Sequence, residues 1–230
     1  MKHMIVFENK ESHVPGASEK KNNECDMSDL RSKCIFDSIA WIYHLFDRPI
    51  RRTFKPGIRV LSQELLFNGK TVLDIGTGTG IWADLIRVNR AIVTGIDHSE
   101  KMLEKARKRY GKYISFILAD AKNLKDFGDD SFDIVTASFV LHGMKRDKRE
   151  PILLEMKRIS KNIVAIYDYD KGASFMLLFL EWLEKSDYYN FTQHFYNEFS
   201  GIFTHCKKIP VKKGSALYIG HKKQAAAIET

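Results

Sequence analysis

The chain has 230 residues, 44% of them hydrophobic, which suits one large domain with short appendages and excludes wholesale disorder. Its formal net charge of +8 fits either an anionic ligand or a lysine-rich solvated surface. No apolar run approaches the ~20 residues that cross a bilayer, and three scattered cysteines without a CxxC pair exclude a disulfide framework.

Residues 1–25 are polar and read as a flexible arm. The apolar patch in "MKHMIVFENKES" is short and followed at once by charge, unlike a secretory leader. With the cysteine usage, this makes a cytoplasmic location the expectation. Residues 26–69 read as a helical cap or lid. Leu30, Cys34, Phe36, Ile39, Ala40, Tyr43 and Leu45 recur at helical intervals until Arg48-Pro49 interrupts them. A second helix is predicted over 57–67, with Ile58, Leu61, Leu65 and Leu66 on one face and Asn68-Gly69 as its end.

From residue 70 to 223 the pattern alternates between short apolar runs and helical segments. Strands are predicted over 71–75, 91–97, 114–120, 132–140 and 162–170. Helices are predicted over 80–89, over 99–110 with Ser99 as N-cap, and over 149–160. Two further helices, 174–185 and 188–199, precede a terminal hairpin formed by 202–211 and 215–222, and residues 224–230 form a tail. Such alternation implies a parallel sheet covered on both faces. Basic clusters at 48–55, 105–112, 145–149 and 207–213 flank the predicted helices and read as solvated faces.

The stretch "VLDIGTGTGIW" places Gly76, Gly78 and Gly80 directly after the first strand. Glycines there permit positive φ and let a ligand touch the backbone. The helix that follows offers unpaired N–H groups, which suit an anionic group. No Lys-Ser or Lys-Thr pair follows, which excludes a P-loop, and Ile81 replaces the third glycine of a dinucleotide GxGxxG turn.

What stands instead is DxGxGxG, from Asp74 to Gly80, which resembles the first motif of class I S-adenosylmethionine-dependent methyltransferases. The resemblance continues in order through "DHSEKMLEKAR", "ADAKNL" and "FDIVTASFVLHGM". It implies S-adenosyl-L-methionine as cofactor and a three-layer, Rossmann-like seven-stranded sheet of order 3-2-1-4-5-7-6 with its seventh strand antiparallel. It assigns the methionyl contact to Asp74, Gly76, Thr77, Gly78 and Gly80, and the ribose hydroxyls to Asp97. By the same resemblance His98 and Met102 flank the adenine, Asp120 meets its amino group with Ala121 beside it, and Ser138 ends the segment that lines the transfer cleft. Upstream, "IFDSIAWIYHLFDRPI" is similar to the "FDxIAxxYD" segment of the ubiquinone/menaquinone C-methyltransferase group, with His44 standing where that group has Asp.

A sulfonium already activates its methyl group, so the protein mainly aligns the reacting atoms. A base is needed only for a protonated acceptor, and His142, Tyr167, Asp168 and Asp170, with Tyr43 and His44 from the lid, are the candidates. Asp168 and Asp170 alternate on one strand and should face the same way. No (D/N)PPY motif, Pro-Cys nucleophile, GxSxG or HExxH is present, and no residues are expected to hold a metal. The expected enzyme is a methyltransferase acting on a small molecule. An RNA acceptor for the basic surface and a silent cofactor-binding regulator are the alternatives.

Overall fold

The computed structural model describes residues 47–172 and 187–222. The readings for the arm, the first lid helix with Tyr43 and His44, helix 174–185 and the tail lie outside the described residues. In chain order the elements are α1 (Asp47–Glu64), β1 (Thr71–Ile75), α2 (Ile81–Arg87), β2 (Ile92–Asp97), α3 (Glu100–Tyr110), β3 (Ser115–Leu118) and β4 (Phe132–Ser138). There follow α4 (Arg146–Ile159), β5 (Ser160–Tyr169), α5 (Tyr188–Ile202), β6 (Thr204–Lys212) and β7 (Ser215–His221).

The strands form one seven-stranded sheet of order β3-β2-β1-β4-β5-β7-β6. The first five pair in parallel, and β7 runs antiparallel to both β5 and β6. This is the expected topology. Residues alternate across the central strand: Val72 joins the apolar layer containing Leu61, Trp82, Ile86, Leu103 and Tyr167, whereas Leu73 and Ile75 join the layer of Ile152, Met156, Phe195 and Phe199. Helices α1, α2 and α3 thus cover one face, and α4 and α5 the other. With both faces covered, the central strands are nearly continuous apolar runs.

At the amino end of the sheet, Asp133 clamps β4 to β1 by accepting from the Thr71 N–H and hydroxyl, each at 2.9 Å. The Thr71 N–H foremost, then Lys161, holds this carboxyl at about 2.

Several element ends differ from the sequence reading. The predicted helix 57–67 is the second half of α1, which starts at Asp47 and continues through Pro56. Pro49 falls in the first turn, where a missing N–H costs nothing. Packing overrides the Pro-Gly signal: Phe54 lies 5.7 Å from Trp82, and Gly57 lets the helix backbone rest on the Tyr167 ring. The third strand ends at Leu118, so Ala119 and Asp120 fall beyond it. Helix α4 begins at Arg146 and passes through Pro151, and β5 follows it directly at Ser160. The hairpin turns through Lys213-Gly214, with Gly214 at φ +82°.

Helix α1 belongs to the helical layer. Arg51 bonds Asp84 of α2 at 2.8 Å, Glu64 meets Lys207 of β6 at 2.6 Å, and the Thr53 carbonyl accepts from the Tyr167 hydroxyl at 3.4 Å. A Cβ at Gly57 would stand 2.5 Å from Tyr167 Cε1. That ring is pinned by Trp82 on one side and Phe139 on another, so it has nowhere to move. Gly57→Ala is therefore expected to cost ~1–3 kcal/mol through overpacking. Urea denaturation checks this, and an unchanged midpoint would mean that α1 can slide on the sheet.

Candidate active site

The carboxyl ends of β1, β2, β4 and β5 converge on the turn after β1. Gly76, Gly78 and Gly80 all have left-handed backbones, at φ +66°, +54° and +80°. Two of them are closely packed: a Cβ at Gly76 would lie 2.5 Å from Val140 Cγ2, and one at Gly80 2.9 Å from Phe116 Cζ. Over Gly78 nothing lies within 4 Å of where a Cβ would be. The turn is therefore held on both flanks and open at its centre.

Asp97, buried at the end of β2, secures that centre. Its Oδ2 accepts from the Gly78 N–H at 2.8 Å and its Oδ1 from the Ser99 N–H at 2.9 Å. Ser99 in turn caps α3 by accepting from the Met102 N–H at 3.3 Å. His98 Nδ1 stands 3.6 Å from Asp97 Oδ1, and its side chain is about half exposed.

Asp74 is the anomaly of the site. It has no exposure, and neither carboxyl oxygen has a hydrogen-bond partner; the Thr77 hydroxyl is likewise buried without one. Burial pushes the Asp74 carboxyl up to about 8, with the Asp97 charge adding to the rise. The nearby Thr77 hydroxyl opposes the shift without reaching full hydrogen-bonding geometry. A buried polar group left unsatisfied is costly. Its oxygens are suited to a donor or a cation, and the turn that starts two residues on is open over Gly78. The residues present thus fit a cofactor with a cationic end.

Across the cleft, His142 Nδ1 lies 2.8 Å from Oδ1 of the fully buried Asp168. Asp168 also accepts from the Leu141 N–H at 3.0 Å and from the Tyr169 N–H at 2.8 Å. A carboxylate so placed fixes the proton of the imidazole on Nδ1 and leaves Nε2 as the basic nitrogen. The Tyr169 ring meets His142 edge-on, with centroids 4.6 Å apart. Immediately before, Phe139 holds a left-handed backbone at φ +52°, uncommon for a bulky residue, and donates its N–H to the Tyr167 carbonyl at 2.9 Å. Its half-buried ring packs against Phe54, Tyr167 and Tyr169.

The other sequence candidates scatter. Tyr167 is buried on the α1 side, its hydroxyl between Ser215 Oγ at 3.3 Å and Thr53, and burial raises its pKa. Asp170 does not share the direction of Asp168. The strand ends at Tyr169, and Asp170 pairs with Lys208 of β6 at 2.6 Å. Ser138 is buried at the end of β4 and Met102 in the first turn of α3. Asp120 is exposed and caps its own turn by accepting from the Lys122 N–H at 3.0 Å, with half-buried Ala121 beside it.

Sequence reasoning missed two residues of this region. One is Phe139, whose backbone conformation has no sequence signal. The other is Arg149, read as part of a solvated basic face. Its side chain is buried, bonding Glu198 at 2.9 and 3.0 Å, Asp187 at 2.9 Å and the Met144 carbonyl. It straps the loop that follows His142 to α5. An Arg in the basic run 145–149 gives no hint of burial, although Glu198, six residues before β6 on an aromatic helix, was the available clue. Among the described residues no group of three or more His, Cys, Asp or Glu could hold a metal ion, and no helix is long and apolar enough to cross a membrane.

Residues 72–162, which carry the glycine turn, Asp97 and His142, match a family model described as a methyltransferase domain. By this match the segment is similar to a methyltransferase domain. Its relatives include a demethylmenaquinone methyltransferase of Thermotoga maritima, 39% identical over 131 residues, which is 55% of this chain and 56% of the relative. A ubiquinone/menaquinone biosynthesis C-methyltransferase of Desulfotalea psychrophila is 41% identical over 93 residues, 39% of this chain and 37% of the relative. The chain thus spans about half, or less, of the length of these curated relatives. The structure also superposes on the PH0226 protein of Pyrococcus horikoshii with a TM-score of 0.63 and 19% identity, over 76% of this chain and 92% of that one. A SAM-dependent methyltransferase structure from Thermotoga maritima gives 0.62 and 22%, over 82% and 99%. At these identities the structural likeness shows the fold.

The state of Asp74 in the ligand-free protein has a measurable sign. Its folded pKa lies above its unfolded one, so between about pH 4 and 8 the unfolded chain ionises while the folded protein stays protonated. Stability should fall as pH rises through that window, by at most ~1.4 kcal/mol per unit, and level off above it. Asp74→Asn matches the protonated form, so it should flatten this slope and stabilise the ligand-free protein at pH 7 by on the order of 2–4 kcal/mol. Urea midpoints across pH test this. A variant less stable than the parent at pH 7 would show that the carboxylate has a partner in the free protein.

Proposed function

We propose that this chain binds S-adenosylmethionine on the Gly76–Gly80 turn and transfers its methyl group to a small-molecule acceptor that approaches from the His142 side. The observation that carries this reading is the turn itself: three left-handed glycines, open over Gly78, between an orphaned buried carboxyl and a buried aspartate, within the residues that match the methyltransferase model.

When bound, the cofactor supplies a sulfonium-activated methyl group. The residues of the chain then have separable tasks. The N–H groups at the start of α2 and around Gly78 would receive the methionyl carboxylate, where the helix N-terminus favours negative charge. Asp97 keeps the turn in shape through the Gly78 N–H and has lone pairs remaining for ribose hydroxyls. Met102, buried at the start of α3, and half-buried Ala121 offer apolar contact on the adenine side. The half-buried rings of Phe139 and Tyr169 supply flat apolar walls next to His142. With Asp168 holding its Nδ1 proton, His142 can take a proton at Nε2 from an acceptor hydroxyl. Asp168 is then a positioning residue. The methyltransferases among the relatives, named for demethylmenaquinone and for ubiquinone/menaquinone biosynthesis, support an aromatic, quinone-type acceptor.

Several basic residues are engaged within the fold rather than left for a polyanion. Arg51, Arg87, Arg149, Arg158, Lys207, Lys208 and Lys222 all pair with carboxylates.

Calorimetry with S-adenosylhomocysteine tests the cofactor assignment. Asp97→Ala should weaken binding by ~1–3 kcal/mol, because it removes an acceptor of charge-assisted hydrogen bonds and loosens the turn. Equal affinity in the variant would place the ligand elsewhere. With a labelled methyl donor and quinol acceptors, His142→Gln should lower kcat ~10²–10⁴-fold while leaving KM nearly unchanged. Asp168→Asn should displace the pH–rate profile, which a purely structural residue would not do. Unchanged turnover in the glutamine variant would remove His142 from the chemistry.

A further inference from the structure

We propose that Asp74 carries a proton in the ligand-free protein and releases it to solvent when the ammonium group of the cofactor's methionyl portion arrives, so that cofactor binding is coupled to proton release. This inference rests on the cofactor reading given above and adds to it a change of protonation state at a single carboxyl.

Geometry carries the argument. Asp74 has no exposed surface, and both of its oxygens lack a hydrogen-bond partner. An ionised carboxylate in that position would be desolvated with nothing to offset the cost, so the neutral acid is the stable form. The direction and size of its pKa displacement agree. An ammonium placed against the neutral acid would itself be a buried, unpaired charge. Loss of the acid's proton converts two unfavourable states into one ion pair with charge-assisted hydrogen bonds. The step balances: a carboxylic acid and a ligand ammonium become a carboxylate–ammonium pair and one proton in solvent. The site's total charge after binding is therefore lower by one than simple addition of the ligand would give.

The surroundings leave Asp74 as the group that answers to the ligand's ammonium. Of the groups packed around β1, Asp97 at the end of β2 is a like charge that raises the Asp74 pKa, with His98 beside it. Asp84 of α2 is held by Arg51 and Arg87. Beside Asp74, β4 presents Thr136, which accepts from Trp82 Nε1 at 3.2 Å, and its end carries Ser138; neither titrates. His142, beyond β4, is bonded to Asp168. Asp133 sits at the opposite end of β1, against Thr71. The Thr77 hydroxyl, buried and also without a partner, is a second acceptor for the same ammonium.

The test is isothermal calorimetry of the full chain with S-adenosylhomocysteine at about pH 7, in buffers that differ in ionisation enthalpy. With the free carboxyl near 8, the dependence of the observed heat on buffer should report release of close to one proton. The dissociation constant should tighten about tenfold between pH 6 and 7, where the ligand's ammonium stays charged. Asp74→Asn should bind with near-zero proton release and a flat pH dependence. Methylthioadenosine, which keeps the nucleoside and sulfur but lacks the ammonium, should bind the unmodified protein without releasing a proton. This arm does not depend on the folding of any variant. If adenosylhomocysteine binds the unmodified protein without proton release, or methylthioadenosine releases as many protons, the Asp74 proposal falls and the cofactor reading stands. If adenosylhomocysteine does not bind at all, the cofactor reading falls and the proposal with it.

Discussion

The carboxylate of Asp97 is the fastening on which the site depends. Its two oxygens receive N–H groups from Gly78 and Ser99, so the loop after β1 and the loop after β2 share one anchor. Both donors belong to loops that precede helices, and the Ser99 side chain caps α3 at the same point. Parallel strands bring these loops side by side because Asp74 and Ile75 are in register with Gly95 and Ile96. The turn can stay open over Gly78 because it is braced beneath by Asp97 and flanked by Val140 and Phe116. An anchor of two charge-assisted hydrogen bonds holds a loop whose glycines would otherwise be its loosest part.

The second half of the cleft follows the same logic with different residues. Asp168 gathers the N–H of Leu141, the N–H of Tyr169 and the His142 imidazole. It thereby ties the loop after β4 to the end of β5, two strands that already pair in parallel. Arg149 continues the chain of contacts outward, from the Met144 carbonyl to Glu198 and Asp187 at α5. A buried guanidinium satisfied by two carboxylates and a carbonyl escapes the penalty of an unpaired buried charge. Against these satisfied groups, the buried carboxyl of Asp74 stands out among the described residues, because neither of its oxygens has a hydrogen-bond partner. The loops after β1 and β2 are thus braced by Asp97, and the loop after β4 by Asp168.

Chain order and composition determined the architecture. The alternation of apolar strands with helical segments is a local property, written in periodicities of two and of 3.6, and it specified a parallel sheet covered on both faces and a terminal hairpin, while the strand order was what the family resemblance implied. The glycine turn was equally legible, because positive φ at three positions restricts residue choice at those positions. Legibility stopped where long-range packing decides. The sequence around Pro56-Gly57 has a local helix-start signal, yet α1 runs through it because burying Ile50, Phe54 and Leu61 against α2 and the sheet outweighs one lost hydrogen bond. Arg149 looked like its exposed neighbours because burial of a charge depends on partners 38 and 49 residues away.

The candidate residues divide along the same line. Asp74, the glycines and Asp97 could be picked out because they lie at or just after strand ends in segments that resemble methyltransferase motifs, and in-register parallel pairing brings those ends together. Of the described candidates His142, Tyr167, Asp168 and Asp170, the sequence favoured His142 as base for its imidazole but did not say which of the others it would meet. Tertiary structure separated them: Tyr167 faces the α1 layer, Asp170 lies past the strand end against Lys208, and only His142 and Asp168 meet, 2.8 Å apart. The sequence by itself therefore determined the strands and the glycine turn, since these follow from local backbone preference and strand order; that Asp97 anchors the turn emerged only in the structure. Which polar side chains are buried together, and which one is left buried alone, was decided only by the packing of helices from distant parts of the chain, because desolvation is a property of the assembled surroundings and not of the residue.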